Sequence, residues 1–171
     1  SHPLRSVDVM TVLAEPEIDV TGERFAVAIA SVRELVAGLS AQVALLPAAA
    51  AKTVIGSLAE LREDVARVEV DAVTQFVKLG APKTAGARST EAWLEQHARK
   101  SAWAAKQTTR AIAATSSARV RQALERGDLA VEQAAVLEPI VARVVTGTCA
   151  EHELTALVTA ASGQTVWHTK Q

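Results

Sequence analysis

Lys106, Gln107 and Arg110 lie within five positions of one another, and their types are those that meet nucleic acid. Arginine and glutamine suit base edges, and lysine suits phosphate. They stand inside a basic segment. Nine of the chain's 18 lysines and arginines fall between Lys83 and Arg126, opposed there only by Glu91, Glu95 and Glu125. Residues 1–82 carry seven basic and eleven acidic side chains, and residues 127–171 carry two and five. The formal net charge of −1 therefore hides a basic island between acidic flanks. Such an island points to a local anionic partner. The competing reading is a solvated helical face whose charges pair with the flanks.

Other chemistries find little support. His2, His97, His152 and His168 are scattered, with no His-x-x-x-His pair and no Cys-x-x-Cys. Cys149 and His152 are three apart and can share a helix face, but they lack the orienting group a nucleophilic dyad needs. His97 reads as a helix-end residue that contacts carbonyls. Glu60, Glu63, Asp64, Glu69 and Asp71 read as a solvated helix face rather than a carboxylate metal site. Glycine-rich phosphate loops are absent. The expectation is a chain with no catalytic residues, no metal and no small-molecule cofactor.

The elements that must position these residues are helices. Hydrophobic residues make up 49% of the 171, alanine about a fifth, aromatics 3%, and there is no tyrosine. An alanine-rich, aromatic-poor chain favours closely packed helices over sheet. No apolar run approaches a membrane span and no signal peptide is visible, so no membrane partner is expected. A lone cysteine excludes a disulfide framework, and the default compartment is cytoplasmic.

Residues 1–20 read as an N-terminal arm, and residues 21–80 as a long helical hairpin. Phe25, Ile29, Val32, Val36, Leu39, Val43 and Leu46 step by three or four, and Pro47 interrupts them. Val54, Leu58, Leu61, Val65, Val68, Ala72, Phe76 and Leu79 continue with heptad spacing. A helix over residues 50–79 would be about 45 Å long. Its stripe must be covered by the first helix or by a second chain, and a homodimer is expected. Gly80 fits a left-handed C′ position and Pro82 blocks continuation.

Residues 81–88 read as a connector and residues 89–163 as a compact bundle of short helices. Ser89, Ser101 and Ser116 or Ser117 are the expected caps of its first three helices, Asp128 of the fourth, and Thr148 opens a capping box with Glu151. Gly127 should end the third helix, and Pro139 should kink or end the fourth or mark a new first turn. Residues 164–171 read as a tail or a truncated continuation.

Within the bundle, Thr90–Ala98, the turn Arg99-Lys100-Ser101 and Ala102–Ala114 have the lengths of a helix-turn-helix-like pair. Lys106 and Arg110 share a face opposite Ala104, Ala105, Thr108, Ala111 and Ile112. Arg99 and Lys100 fall in the turn, where phosphate contact is easy. Trp93 should anchor the small core. Trp103 is also placed in the core, with a stacking platform for an unpaired base as its alternative. The candidate nucleic-acid-binding residues are Arg88, Arg99, Lys100, Lys106, Gln107, Arg110, Arg119 and Arg121.

The run Gly86-Ala87-Arg88-Ser89-Thr90-Glu91-Ala92-Trp93-Leu94 resembles a signature of the actinobacterial 13E12 repeat family, a helical domain that commonly precedes an HNH endonuclease module. Downstream, that family has a Gly-Leu-Ser turn before an Ala- and Arg-rich helix. Here Arg99-Lys100-Ser101 keeps only the serine, followed by Ala105, Arg110 and Ala111. Ala123-Leu124, Gly127 and Leu129 resemble the family's next motif, with Ala130 in place of its serine, then Gln133-Ala134. The resemblance spans roughly residues 45–145 and implies an all-helical module, a nucleic-acid context and a nuclease beyond the C-terminus. The combined expectation is a non-catalytic domain that binds DNA and positions an HNH nuclease. The alternative is a helical protein-interaction or dimerisation module that touches no nucleic acid.

Overall fold

The computed structural model describes residues 22–162 and residue 164, and the chain is all-α there. The expected arm over residues 1–20 lies outside the described residues, as does the tail beyond 164 with Trp167 and His168. The helices are α1 (Glu23–Val43), α2 (Ala48–Lys78), α3 (Ala81–Thr84), α4 (Thr90–His97), α5 (Ala102–Ala114), α6 (Ala118–Glu125), α7 (Val131–Val145) and α8 (Glu151–Ala161). The described residues form two compact units, divided between Thr53 and Val54 inside α2.

In the first unit, α1 buries none of its residues, and Phe25, Ile29, Val32, Val36, Leu39 and Val43 are exposed. Contrary to the expectation drawn from apolar runs, α1 is long and apolar enough to cross a membrane by length and composition. Arg33 and Glu34 stand near its middle, and each charge would cost about 3 kcal/mol at the centre of a bilayer. Its apolar residues also form a stripe rather than a full girdle, as in a helix that buries one face.

The second unit is a bundle of short helices gathered on the C-terminal half of α2. Its core is small-residue packing: Ala111, Ala114, Val120, Ala123, Leu129, Ala134, Ala135, Val141 and Leu154 are each almost fully buried. Alanines let α5 lie closely against α7, the most extensive helix pairing in the unit. A smaller cluster joins Val73, Leu94 and Ala105, with Trp93 and Ile112 packed against it. Trp93 thus packs on this cluster, half-buried, and its ring lies 4.4 Å from that of Phe76.

The buried face of α2 differs from the expected one. Val70 and Val73 are its buried residues, with Ala66 packed against the main core. At about 100° per residue, Ala66, Val70 and Val73 lie roughly a third of a turn from the heptad stripe. The stripe itself is left largely open: Leu58, Val65, Val68 and Leu79 are exposed, Val65 at 57% and Leu79 at 71%. The leucines and the longer periodic run dominated the sequence pattern, whereas alanines and valines suffice where small helices approach closely.

Local signals account for most helix ends. The side-chain oxygens of Ser89, Ser101 and Ser117 accept from the backbone N–H groups of Ala92, Ala104 and Val120. Gly80 and Gly127 close α2 and α6 with φ of 69° and 77°, the left-handed region that favours glycine. Asp128 is not a cap; it pairs with Arg126 at 2.8 Å. Instead the Ala130 N–H donates to the side chain of Gln133, which also donates to the carbonyls of Ala161 and Gln164. One buried glutamine thus ties the start of α7 to the end of α8. Pro139 neither ends nor restarts a helix, for α7 runs through it. Thr148 does not cap α8, whose N-cap residue is Ala150; its hydroxyl donates to the Arg143 carbonyl and closes α7 instead. The connector contains the single turn α3, with Pro82 buried.

Candidate nucleic-acid interface

The pair α4 and α5 is held from three sides. Leu94 and Ala105 seat it on Val73 of α2. The Thr109 hydroxyl of α5 donates to Glu91 of α4 at 2.9 Å. Ala111 and Ala114 join the core that α7 shares. Residues 98–101 make the turn between them, one residue longer than the expected 99–101 because α4 stops at His97. The His97 ring stacks on Trp93 with centroids 5.0 Å apart, and its Nδ1 lies 3.2 Å from the Trp93 carbonyl. A carbonyl only accepts, so that nitrogen carries the proton. His97 is a helix-end residue, as its position implied.

Arg99 has φ +53°, the one non-glycine residue with positive φ among the described residues. The left-handed region costs a residue with a Cβ about 1 kcal/mol. Arg99 is exposed and forms no ion pair among the described residues. Its neighbour behaves differently: Lys100 Nζ lies 2.8 Å from Glu69 Oε2 of α2, with the lysine side chain only 20% exposed. Lys100 therefore fastens the turn to the long helix. Arg110 Nε lies 3.4 Å from Glu138 Oε2 of α7, both side chains half-buried. Two of the eight candidate residues are thus engaged inside the protein.

The remaining six do not form one patch. Lys106 is exposed and Gln107 half-buried on α5, and Arg88 is exposed just before the Ser89 cap. Arg119 and Arg121 are both exposed, but at two residues' spacing they stand about 200° apart around α6. Arg121 lines a groove with Asp71, Thr74 and Ile112, formed by α2 and the end of α5. The structure therefore groups Arg99, Lys106, Gln107 and Arg110 around the α4–α5 turn and the outer face of α5. Arg88 lies about 12 Å away along α4, and Arg119 and Arg121 belong to other faces.

Trp103 corrects the expectation that placed it in the core: it is 55% exposed. It lies three, four and seven residues before Lys106, Gln107 and Arg110, so all four share the outer face of α5. That spacing was readable in the sequence; a large apolar side chain drew the opposite reading. Glu69 and Glu138 are the counter-ions that sequence reasoning missed, because no local spacing links them to Lys100 and Arg110.

The acidic residues of α2 hold no cluster of metal ligands. Among the described residues no three His, Cys, Asp or Glu side chains are placed to hold a metal ion. Asp64 pairs with Arg67 and Glu69 with Lys100. Cys149 donates to Glu153 Oε2 at 2.9 Å, and this hydrogen bond, followed by desolvation, raises the thiol pKa above its ordinary value. A raised pKa disfavours the thiolate that nucleophilic chemistry requires.

No protein-family model, curated protein or solved structure matches this chain.

Proposed function

We propose that the chain is a non-catalytic helical module that binds nucleic acid through the α4–α5 turn and the outer face of α5. The observation that carries this reading is Arg99. A long cationic side chain occupies a left-handed position where glycine would be less strained, and it is exposed at the tip of the turn. The left-handed backbone ends α4, with the Lys100 N–H donating to the Leu94 carbonyl at 3.4 Å, and the Arg99 side chain stays in solvent. In the 13E12-like pattern a glycine opens the same turn, so the arginine here adds charge at a conformational cost. Arg99, Lys106 and Arg88 supply phosphate contacts in this reading, while Gln107 supplies an edge contact. Lys100 and Arg110 are positioning residues first, held by Glu69 and Glu138. In this reading the α4–α5 pair presents the binding face, and on the 13E12 resemblance it positions a nuclease borne by the rest of a longer protein. Electrophoretic or anisotropy titration with duplex and single-stranded DNA tests it: binding weakened by Arg99→Ala supports it, and no binding to either form overturns it.

A second reading rests on a different observation, the exposed heptad face of α2. About seven turns of apolar spacing are poorly matched to water. In this reading the exposed stripe of α2 is the seam of a homodimer, and the module's task is assembly. Sedimentation over a concentration series tests it: mass that rises with concentration in the wild type and not in Leu61→Glu favours assembly.

A further inference from the structure

We infer that Trp103 is a stacking platform for an unpaired nucleobase, so that the α5 face takes single-stranded nucleic acid rather than intact duplex. The inference rests on the nucleic-acid reading above and names its substrate. An indole that is 55% exposed leaves much of its surface in water, although the same bundle buries far smaller side chains completely. The alanines beside it, Ala104 and Ala105, point into the fold, half-buried and buried respectively.

Its surroundings specify the ligand. Lys106 and Arg110 lie on the same face three and seven residues on, and Arg99 precedes it in the turn. Gln107 adds a side chain with both a donor and an acceptor. Arg110 is paired with Glu138, so Lys106 and Arg99, which form no ion pair among the described residues, are the cations that meet the phosphates. An aromatic surface flanked by cations is what a base attached to a phosphodiester chain requires: the ring stacks and the cations hold adjacent phosphates. In a duplex the base faces are covered by their neighbours, so an indole on a helix surface reaches them only where the strand is open.

The test uses the full chain with three probes: oligo-thymidine, oligo-uridine and a duplex of the same length. Wild type should bind oligo-thymidine more tightly than duplex, with quenching of tryptophan fluorescence. Trp103→Phe should keep most of the affinity and lose the quench. Trp103→Ala should weaken single-strand binding about tenfold while leaving any duplex binding unchanged. Trp103 is exposed, so both variants should fold, which circular dichroism checks. Tighter binding of oligo-uridine than oligo-thymidine, with the same tryptophan dependence, would confirm the platform and identify its source as RNA. Duplex bound as well as single strand, with no effect of Trp103→Ala, would overturn the platform and leave the nucleic-acid reading standing. No binding of any probe would overturn both.

Discussion

Lys100 Nζ and Glu69 Oε2 lie 2.8 Å apart and join the α4–α5 turn to the long helix α2. This pair fixes where the turn sits and removes one cation from the surface that would meet an anionic ligand. Glu69→Gln should free Lys100, strengthen nucleic-acid binding and steepen its salt dependence by up to about one unit of log–log slope. The stability cost should be at most about 1 kcal/mol, as for other partly exposed pairs. Unchanged affinity and slope would show that Lys100 does not face the ligand even when released.

Arg99→Gly and Arg99→Ala separate conformation from charge. Both remove the same cation and should weaken binding equally. Only glycine relieves the left-handed backbone, so Arg99→Gly should gain up to about 1 kcal/mol in chemical denaturation while Arg99→Ala gains nothing. Equal stability in the two variants would mean that the strain at φ +53° is not felt.

The two faces of α2 should respond differently to charge. Val70→Asp puts a carboxylate in the core against Ala111 and Leu124, and should unfold the second unit or cost it at least about 3 kcal/mol. Leu61→Glu, on the half-open stripe, should leave the circular dichroism of the chain intact and alter only its mass in sedimentation. If Leu61→Glu unfolds the chain and Val70→Asp does not, the buried face has been assigned to the wrong side.

Cys149 gives a pH-dependent readout. Hydrogen bonding to Glu153 holds the thiol proton, so its pKa lies above the ordinary thiol value. Such a group stabilises the fold below its ordinary pKa, and that contribution is lost as pH rises through the raised folded value. Alkylation by iodoacetamide should therefore accelerate at higher pH in the folded chain than in the unfolded one, and Glu153→Gln should bring the two midpoints together. A folded midpoint at or below the unfolded one would contradict the hydrogen bond's role.

Much of the bundle was legible because it rests on local signals. Serine caps at 89, 101 and 117 and glycine stops at 80 and 127 depend on one residue's conformation and its nearest backbone groups. What was not legible depends on distant partners. The buried face of α2 is chosen by alanine-lined helices that follow it by roughly 40 to 70 residues. Asp128 and Thr148 have capping types, yet Arg126 and the Arg143 carbonyl compete for them. The basic island was visible as composition, but which cations remain free is set by Glu69 and Glu138 on other helices.

If the cations around the α4–α5 turn bind nucleic acid, the salt dependence of binding, read by fluorescence anisotropy, must report them. With Arg88, Arg99 and Lys106 each meeting a phosphate, log–log slopes of about −2 for single strands and about −3 for duplex are predicted, from roughly −0.7 and −0.9 per contact. Arg99→Ala should reduce either slope by about one contact's worth. A chain that binds no single-stranded or duplex probe at about 50 mM salt, or binds with a slope that Arg99→Ala leaves unchanged, does not bind nucleic acid through this turn.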